Sequence, residues 1–304
     1  VVVENNGFAE EDFDFDASTG TIVAYNGFAT YLSIPETIGG VPVKAIGAEA
    51  FKYHQYLALL ELPEGLEDIG DEAFYNCVTL GHVTFPSTLK TIGNNAFYNA
   101  YKGSTIELTS VEHIGDYAFY FAGFQGDMEL PEGLKTIGES AFESCSNMGD
   151  LYLPSTLESI GSNAFRKDYN ILYVVLNSVT PPTLGEDVFK GCDYLADIDL
   201  SDRGTKQEMQ NWQAYVDALG LNCRVWRAQD PTAQSPEKGA YTYDNRVLTE
   251  YTGTRTRIHP HLTVSKMPVV GVGDGVFKDS QTIEYFSVAH NDVFTTIGAE
   301  AFMN

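Results

Sequence analysis

Six histidines, four cysteines and 42 acidic residues are the side chains through which this chain of 304 residues could do chemistry. A metal site needs three or more of them at ligand spacing, and covalent catalysis needs a Ser or Cys with a base beside it. His259-Pro260-His261 has the spacing of two ligands but no third at a recognisable interval, so it reads as a surface turn. Asp12-x-Asp14-x-Asp16 begins like a calcium loop. Such a loop requires Gly and Glu where this chain has Ala17 and Val23, and Phe13 and Phe15 make better sense as inward residues of a leading strand. Gly271-x-Gly273-x-Gly275 departs from the G-x-G-x-x-G phosphate loop. No residue is therefore assigned a catalytic, cofactor-binding or metal role, no cofactor is expected, and the chain reads as non-enzymatic.

The charge balance narrows the partners. With 18 Lys and Arg against 42 Asp and Glu, the net charge is -24. Nucleic acid needs clustered basic residues, so it is excluded as a partner. Hydrophobic residues make up 43% of the chain, enough to rule out a disordered acidic tail. No apolar run is long enough for a membrane helix, so no direct membrane insertion is expected. Val1-Val2-Val3-Glu4-Asn5 is not a signal peptide, so an export signal would lie outside this sequence.

The elements that must position these groups come from an internal repeat. An aliphatic-Gly-x-x-small-Phe unit recurs at Ile46-Gly47/Phe51, Ile69-Gly70/Phe74, Ile92-Gly93/Phe97, Ile114-Gly115/Phe119, Ile137-Gly138/Phe142 and Ile160-Gly161/Phe165. It weakens at Leu184-Gly185/Phe189 and returns at Val272-Gly273/Phe277 and Ile297-Gly298/Phe302. A second row keeps step with it: Leu62-Pro63, Phe85-Pro86, Leu108, Leu130-Pro131, Leu153-Pro154, Leu176 and Leu200. Two rows in phase at a period of about 23 residues mark a solenoid, whose coils bury their apolar sides only by stacking. Alternating pairs such as Val83/Phe85, Ile106/Leu108, Met128/Leu130 and Leu151/Leu153 predict one short strand per coil. The Ala-Phe step predicts a single helical or 3₁₀ turn, and the preceding Gly a tight bend or a close approach between coils.

Leu80-Gly81-His82-Val83-Thr84-Phe85-Pro86 through Ile92-Gly93 and Ala96-Phe97 resembles, nearly position for position, the BspA-like leucine-rich repeats of bacterial cell-surface proteins. The resemblance covers residues 12–228 and 240–304. It implies an α/β, β-rich, right-handed leucine-rich-repeat solenoid and a non-enzymatic, surface-attached or secreted binding or adhesion role. It supplies no catalytic residues.

Pro42-Val43-Lys44-Ala45-Ile46-Gly47 returns as Pro268-Val269-Val270-Gly271-Val272-Gly273, and Phe13-Asp14-Phe15 and Tyr25 have counterparts in Tyr241-Thr242-Tyr243 and Tyr251. The expected organisation is a first array of about seven coils over 1–228, a linker at 229–239 rich in Pro, Ser and Gln, and the start of a second array at 240–304. A helix from Thr205 to Leu219, with Met209, Trp212, Val216 and Leu219 on one face, and a strand carrying Leu221, Cys223 and Val225 should cap the first array. The second array stops within a repeat around Phe286, Val288, Ile297 and Phe302, which predicts further coils or end-to-end self-association.

Cys77, Cys145 and Cys192 each follow a repeat Phe by three residues, so they share a column several coils apart and should be buried free thiols. The state of Cys223 is left open. Leu153-Pro154-Ser155-Thr156 begins like a wall-sorting signal but recurs as Phe85-Pro86-Ser87-Thr88, which makes it repeat architecture.

Outward strand positions form two rows. One runs Glu61, Thr84, Glu107, Glu129, Tyr152, Val175 and Asp199, the other Leu59, His82, Thr105, Asp127, Asp150, Tyr173 and Asp197. In register, Glu107 would face Glu129 and Asp127 would face Asp150, like charges about 5 Å apart. Read functionally, Glu61, His82, Thr84, Glu107, Asp127, Glu129, Asp150, Tyr152 and Tyr173 make an acidic face with tyrosine anchors for a protein or glycan ligand. Read structurally, the face is a solvated acidic surface, and the chain is a stalk that holds another domain away from the cell.

Overall fold

One ring stands at the same place in every coil. Tyr25, Phe51, Phe74, Phe97, Phe119, Phe142, Phe165 and Phe189 form a continuous stack with centroids 4.9 to 5.6 Å apart. All eight rings are buried. Seven of them were marked by the repeat, and Tyr25 heads the stack as an eighth. The computed structural model describes residues 9–101, 106–145, 147–171, 173–176, 182–193, 195, 197–199, 206–218 and 224–226, and shorter pieces beyond (241–244, 247–251, 257–258, 263–264, 267–268, 271–277, 285–286, 296–299 and 301).

All but one of the described coils of the first array carry two strands rather than the one expected. The long-side strands are Tyr31–Ser33, Leu59–Glu61 and His82–Thr84 in one parallel sheet, and Gly126–Glu129, Met148–Leu153, Tyr173–Leu176, Asp197–Asp199 and Arg224–Trp226 in another. The second strand is the two-residue step just before the repeat Gly, as in Asp68–Ile69, Thr91–Ile92 and His113–Ile114. These steps pair coil to coil in a nine-stranded sheet. Two residues are too short to show alternation, which hides this strand from a periodicity reading.

At Ile106/Leu108 the expected strand is absent. Both side chains are buried, but the segment is not a strand and joins neither long-side sheet. This coil is one residue shorter than its neighbours, 22 from Phe97 to Phe119, and the loss falls between Leu108 and Ile114, where other coils carry Pro. Leu108 nevertheless keeps the inward place that Leu62 and Leu130 hold in their coils.

The Ala-Phe step is not helical either. From Glu49 to His54, alternate N–H groups run to the next coil: Glu49 to Asp71 O, Phe51 to Ala73 O and Tyr53 to Tyr75 O, at 2.8–2.9 Å. The intervening ones close turns within the coil, Ala50 to Gly47 O, Lys52 to Glu49 O and His54 to Phe51 O. This alternation requires left-handed residues two and six positions after each Gly, among them Glu49, Tyr53, Glu72, Asn76, Asn95 and Asn99, with φ between 49° and 63°. Each costs about 1–2 kcal/mol. A helical turn would avoid that cost but would turn the N–H groups away from the next coil, and inter-coil bonding wins. Gly275, in the sequence's Gly-rich run, holds the position of Glu49 with φ of 64°.

The repeat Gly serves close approach. A Cβ at Gly70 would lie 2.7 Å from Ala48 N, and one at Gly93 2.7 Å from Asp71 N. The neighbouring coil's backbone occupies the space that a side chain would need.

A hairpin opens the first array. Phe13–Asp16 pairs antiparallel with Thr21–Tyr25, with a register shift at Asp14/Phe15. Phe13 is buried and Phe15 half-buried; Asp16 accepts both the N–H and the hydroxyl of Ser18, which closes the turn. Tyr241–Asp244 and Val247–Tyr251 form the same hairpin with the shift at the equivalent step, Thr242/Tyr243. Thr21 and Ile22 pair with Ala45 and Ile46, just as Val247 and Leu248 pair with Gly271 and Val272.

Helix Lys206–Ala218 follows the last coil of the first array, with Trp212 and Val216 buried. The Tyr215 hydroxyl donates to Gly185 O at 3.1 Å, and Val225 N–H to Gln213 Oε1 at 2.9 Å. Thr205, Leu219, Leu221, Cys223, the 229–239 segment, His259-Pro260-His261, Val288 and Phe302 lie outside the described residues, as does the Met209 side chain.

Candidate functional site

The long-side strands build the candidate face, and the break at Ile106–Leu108 divides it. In the N-terminal part Leu59 pairs with His82 and Glu61 with Thr84, so both rows hold their register. Glu61, His82 and Thr84 are exposed, and Thr84 Oγ1 lies 3.5 Å from His82 Nε2. Tyr31, not singled out from the sequence, belongs here. It pairs with Leu59, and a hydrogen bond with Glu61 raises the pKa of its hydroxyl. Glu107 is exposed between buried Ile106 and Leu108, but it has no strand partner among the described residues, and the expected Glu107/Glu129 pair is not among their pairings.

In the C-terminal part Glu129 pairs with Tyr152, and Tyr152 with Val175. Asp127 does not face Asp150 as a repelling like charge. A register irregularity sets Asp127 opposite two residues, Gly149 and Asp150, and its carboxylate accepts the Asp150 N–H at 3.1 Å. Gly149 makes the room, since a Cβ there would lie 2.5 Å from Asp127 Oδ1. Asp150 repeats the gesture, accepting the Tyr173 N–H at 3.1 Å. Tyr173 is half-buried, and the side chains of Asp197 and Asp199 lie outside the described residues.

Tyr152 is the large aromatic that stands out from this part of the face, 36% exposed. Burial of its inner edge, then the fields of Asp150, Asp127 and Glu129, push its hydroxyl up to about 12. A ring with a protonated hydroxyl, ringed by three carboxylates, suits a cationic, hydrogen-bonding side chain.

Other acidic side chains are committed to the fold. Glu64 accepts the Ser87 N–H and hydroxyl, Thr88 Oγ1 accepts from Gly65 N–H, and the Thr88 hydroxyl donates to Leu66 O. Glu132, Gly133 and Leu134 repeat this with Ser155 and Thr156, which is why Leu153-Pro154-Ser155-Thr156 recurs. Asp71, Asn94 and Asp116 each accept the N–H one coil on, at 2.7–2.8 Å.

Sequence reasoning also missed an aromatic column on the turn side. Tyr75, Tyr98 and Tyr120 stack at 4.8 Å, with Lys52 Nζ 5.5 Å above the Tyr75 ring. Its signal was there: a Tyr directly after the repeat Phe in three successive coils. These rings spend their faces on one another, which makes the column a support for the turns.

The thiol column carries no exposed chemistry. Cys77, Cys145 and Cys192 are free and buried, and each Sγ–H donates to the carbonyl of the repeat Phe one coil earlier, Phe51, Phe119 and Phe165, at 3.0–3.2 Å. His54 takes the same place with Nε2 donating to Tyr25 O at 2.8 Å. Burial raises the Cys77 thiol to about 12. No group of three or more His, Cys, Asp or Glu among the described residues is arranged to hold a metal ion, and no helix among them is long and apolar enough to cross a membrane.

The BspA type leucine rich repeat region, in six copies, matches residues 44–172 and 112–212 of the chain. A leucine-rich repeat protein of T. pallidum is 23% identical over 72% of this chain and 98% of its own, with a TM-score of 0.57. A leucine-rich cell surface protein from Faecalibacterium prausnitzii A2-165 is 22% identical over 100% of this chain and 75% of its own, also at 0.57. At these identities the likeness is one of fold. No curated protein matches the chain.

Proposed function

The chain belongs to the BspA-type leucine-rich-repeat family, and from that premise we propose that it is a non-enzymatic binding protein of a bacterial cell surface or its surroundings. Its ligand face is the C-terminal half of the long-side sheet, centred on Tyr152. The supporting observation is the exposed Tyr152 ring with Glu129 directly across the ladder and the charges of Asp127 and Asp150 beside it. The ligand is a protein that presents Arg or Lys, or a cationic glycan, and acidic character makes its capture dependent on salt. Within this reading, 1–228 is the binding array, 229–239 a linker and 240–304 the beginning of a second array.

The stalk reading draws support from Asp127, Asp150, Glu64 and Glu132, which serve the neighbouring coil's backbone. The two are separated by binding the whole chain to arrayed surface proteins and glycans, next to Tyr152→Ala and Glu129→Lys variants. A ligand lost by both variants and weakened by salt supports the binding face. A ligand indifferent to both, or no ligand at all, returns the face to a stalk.

A further inference from the structure

Asp168 sits three residues after Phe165, in the column otherwise held by His54, Cys77, Ala100, Ala122, Cys145 and Cys192. It is 0% exposed, and its Oδ2 has no hydrogen-bond partner among the described residues. Every other polar side chain described in that column is a donor to the carbonyl of the aromatic residue one coil earlier: His54 to Tyr25, Cys77 to Phe51, Cys145 to Phe119 and Cys192 to Phe165. The equivalent acceptor for Asp168 is the Phe142 carbonyl, 26 residues back, the same interval as Cys77 to Phe51.

The backbone around that carbonyl has been rearranged to suit. Cys77, Ala100, Ala122 and Cys192 each close their N–H onto their own coil's Phe carbonyl. Cys145 instead gives its N–H to Asp168 Oδ1 at 2.6 Å, which releases the Phe142 carbonyl from its turn bond. One carboxyl oxygen accepts, and the other is buried without a partner in a column whose other polar side chains all donate. A carboxylate has nothing to donate, whereas a carboxylic acid has one O–H.

We infer that Asp168 is protonated in the folded protein and donates its Oδ2 hydrogen to the Phe142 carbonyl, which makes this coil a built-in pH sensor. The groups around it reinforce the neutral state. Glu143, on the coil before, adds a negative field in the same direction as burial. Arg166, which would oppose it, is turned to Glu143 at 3.1 Å, and Lys190, on the coil after, pairs with Asp187 at 2.7 Å. The thiols above and below, Cys145 and Cys192, are engaged with their own carbonyls. Lys167 stands beside it in sequence on the same turn.

The linkage has a definite sign. The unfolded chain releases this proton near the ordinary aspartate value, while the folded chain keeps it. Stability from this group is therefore full below that value and is lost as pH rises towards the folded one, by up to about tenfold in the folding constant per pH unit. The test is urea unfolding from pH 4 to pH 8 of the whole chain and of Asp168→Asn, whose amide can accept from Cys145 and donate to Phe142 at every pH. The two should agree near pH 4, with the variant gaining on the wild type as pH rises. Should the variant prove misfolded, carbon-13 NMR of the Asp168 carboxyl in the wild type decides the matter. A constant offset between the two proteins across the range, or a carboxyl already ionised at pH 5, would overturn the inference.

Discussion

The carboxylate of Asp127 caps the backbone N–H of Asp150, one coil further on, at 3.1 Å. Two like charges that the repeat brings level are thereby used in series, since Asp150 in turn takes the N–H of Tyr173. The acidic face is thus of two kinds. Asp127 and Asp150 are tied to the ladder, while Glu129 projects from it, exposed and paired through its backbone with Tyr152.

That distinction predicts a split between stability and binding. Asp127→Ala deprives the Asp150 N–H of its acceptor at a partly solvated site and should lower stability by about 1 kcal/mol. Glu129→Ala should leave the unfolding midpoint where it is and affect only ligand capture. Thermal and urea unfolding of the two variants check this; equal losses in both would mean that Asp127 is as free of the fold as Glu129.

A second prediction separates two glycines of the same array. Gly93→Ala places a methyl group 2.7 Å from the backbone of Asp71 and Gly70, which cannot turn aside. It should cost about 1–3 kcal/mol, the range for overpacking. At Gly81 the nearest atom to an added Cβ is Ala58 O at 3.7 Å, an ordinary contact. Gly81→Ala should therefore gain about 0.4–1 kcal/mol, because it restricts the unfolded chain without a clash. Urea midpoints that move in opposite directions are the expected result, and a shift of the same sign in both would remove the close-approach explanation.

The columns that repeat in residue type were legible in the sequence for a physical reason. Phe51 to Phe189 and Gly47 to Gly185 meet the same neighbours in every coil, so one residue type answers every time. Features set between coils were not legible. The two-residue strands at Thr91–Ile92 and Thr136–Ile137 have no pattern of their own. The left-handed positions accept Glu, Tyr, Asn, Ser and Lys, so no single type announces them. Tyr31 escaped because its partner Leu59 lies 28 residues on, outside the period, although its bond with Glu61 makes it part of the face. Asp168 was passed over because its column reads as a slot for small residues, and only burial reveals that a carboxyl is inside.

The last prediction concerns a charge column that the same period hides. Lys44, Glu67, Lys90, Glu112, Lys135 and Glu158 hold equivalent places on successive coils and alternate in sign. Lys44 meets Glu67 at 2.8 Å, while Glu112 is bracketed by Lys90 at 3.8 Å and by Lys135 in direct hydrogen-bonded contact. Pairing with Lys135 holds the Glu112 carboxyl below its ordinary value. Glu112→Lys replaces two attractions by a run of three lysines one coil apart. Exposed pairs contribute little each, so the variant should be modestly less stable than Glu112→Gln at low salt, read as a lower urea midpoint. Because these side chains are half-exposed, 1 M salt, with a screening length of about 3 Å, should erase most of the gap between the two variants. If the gap is absent at low salt or persists at high salt, the alternation does not act through charge, and the loss belongs to the packing of the Glu112 stem.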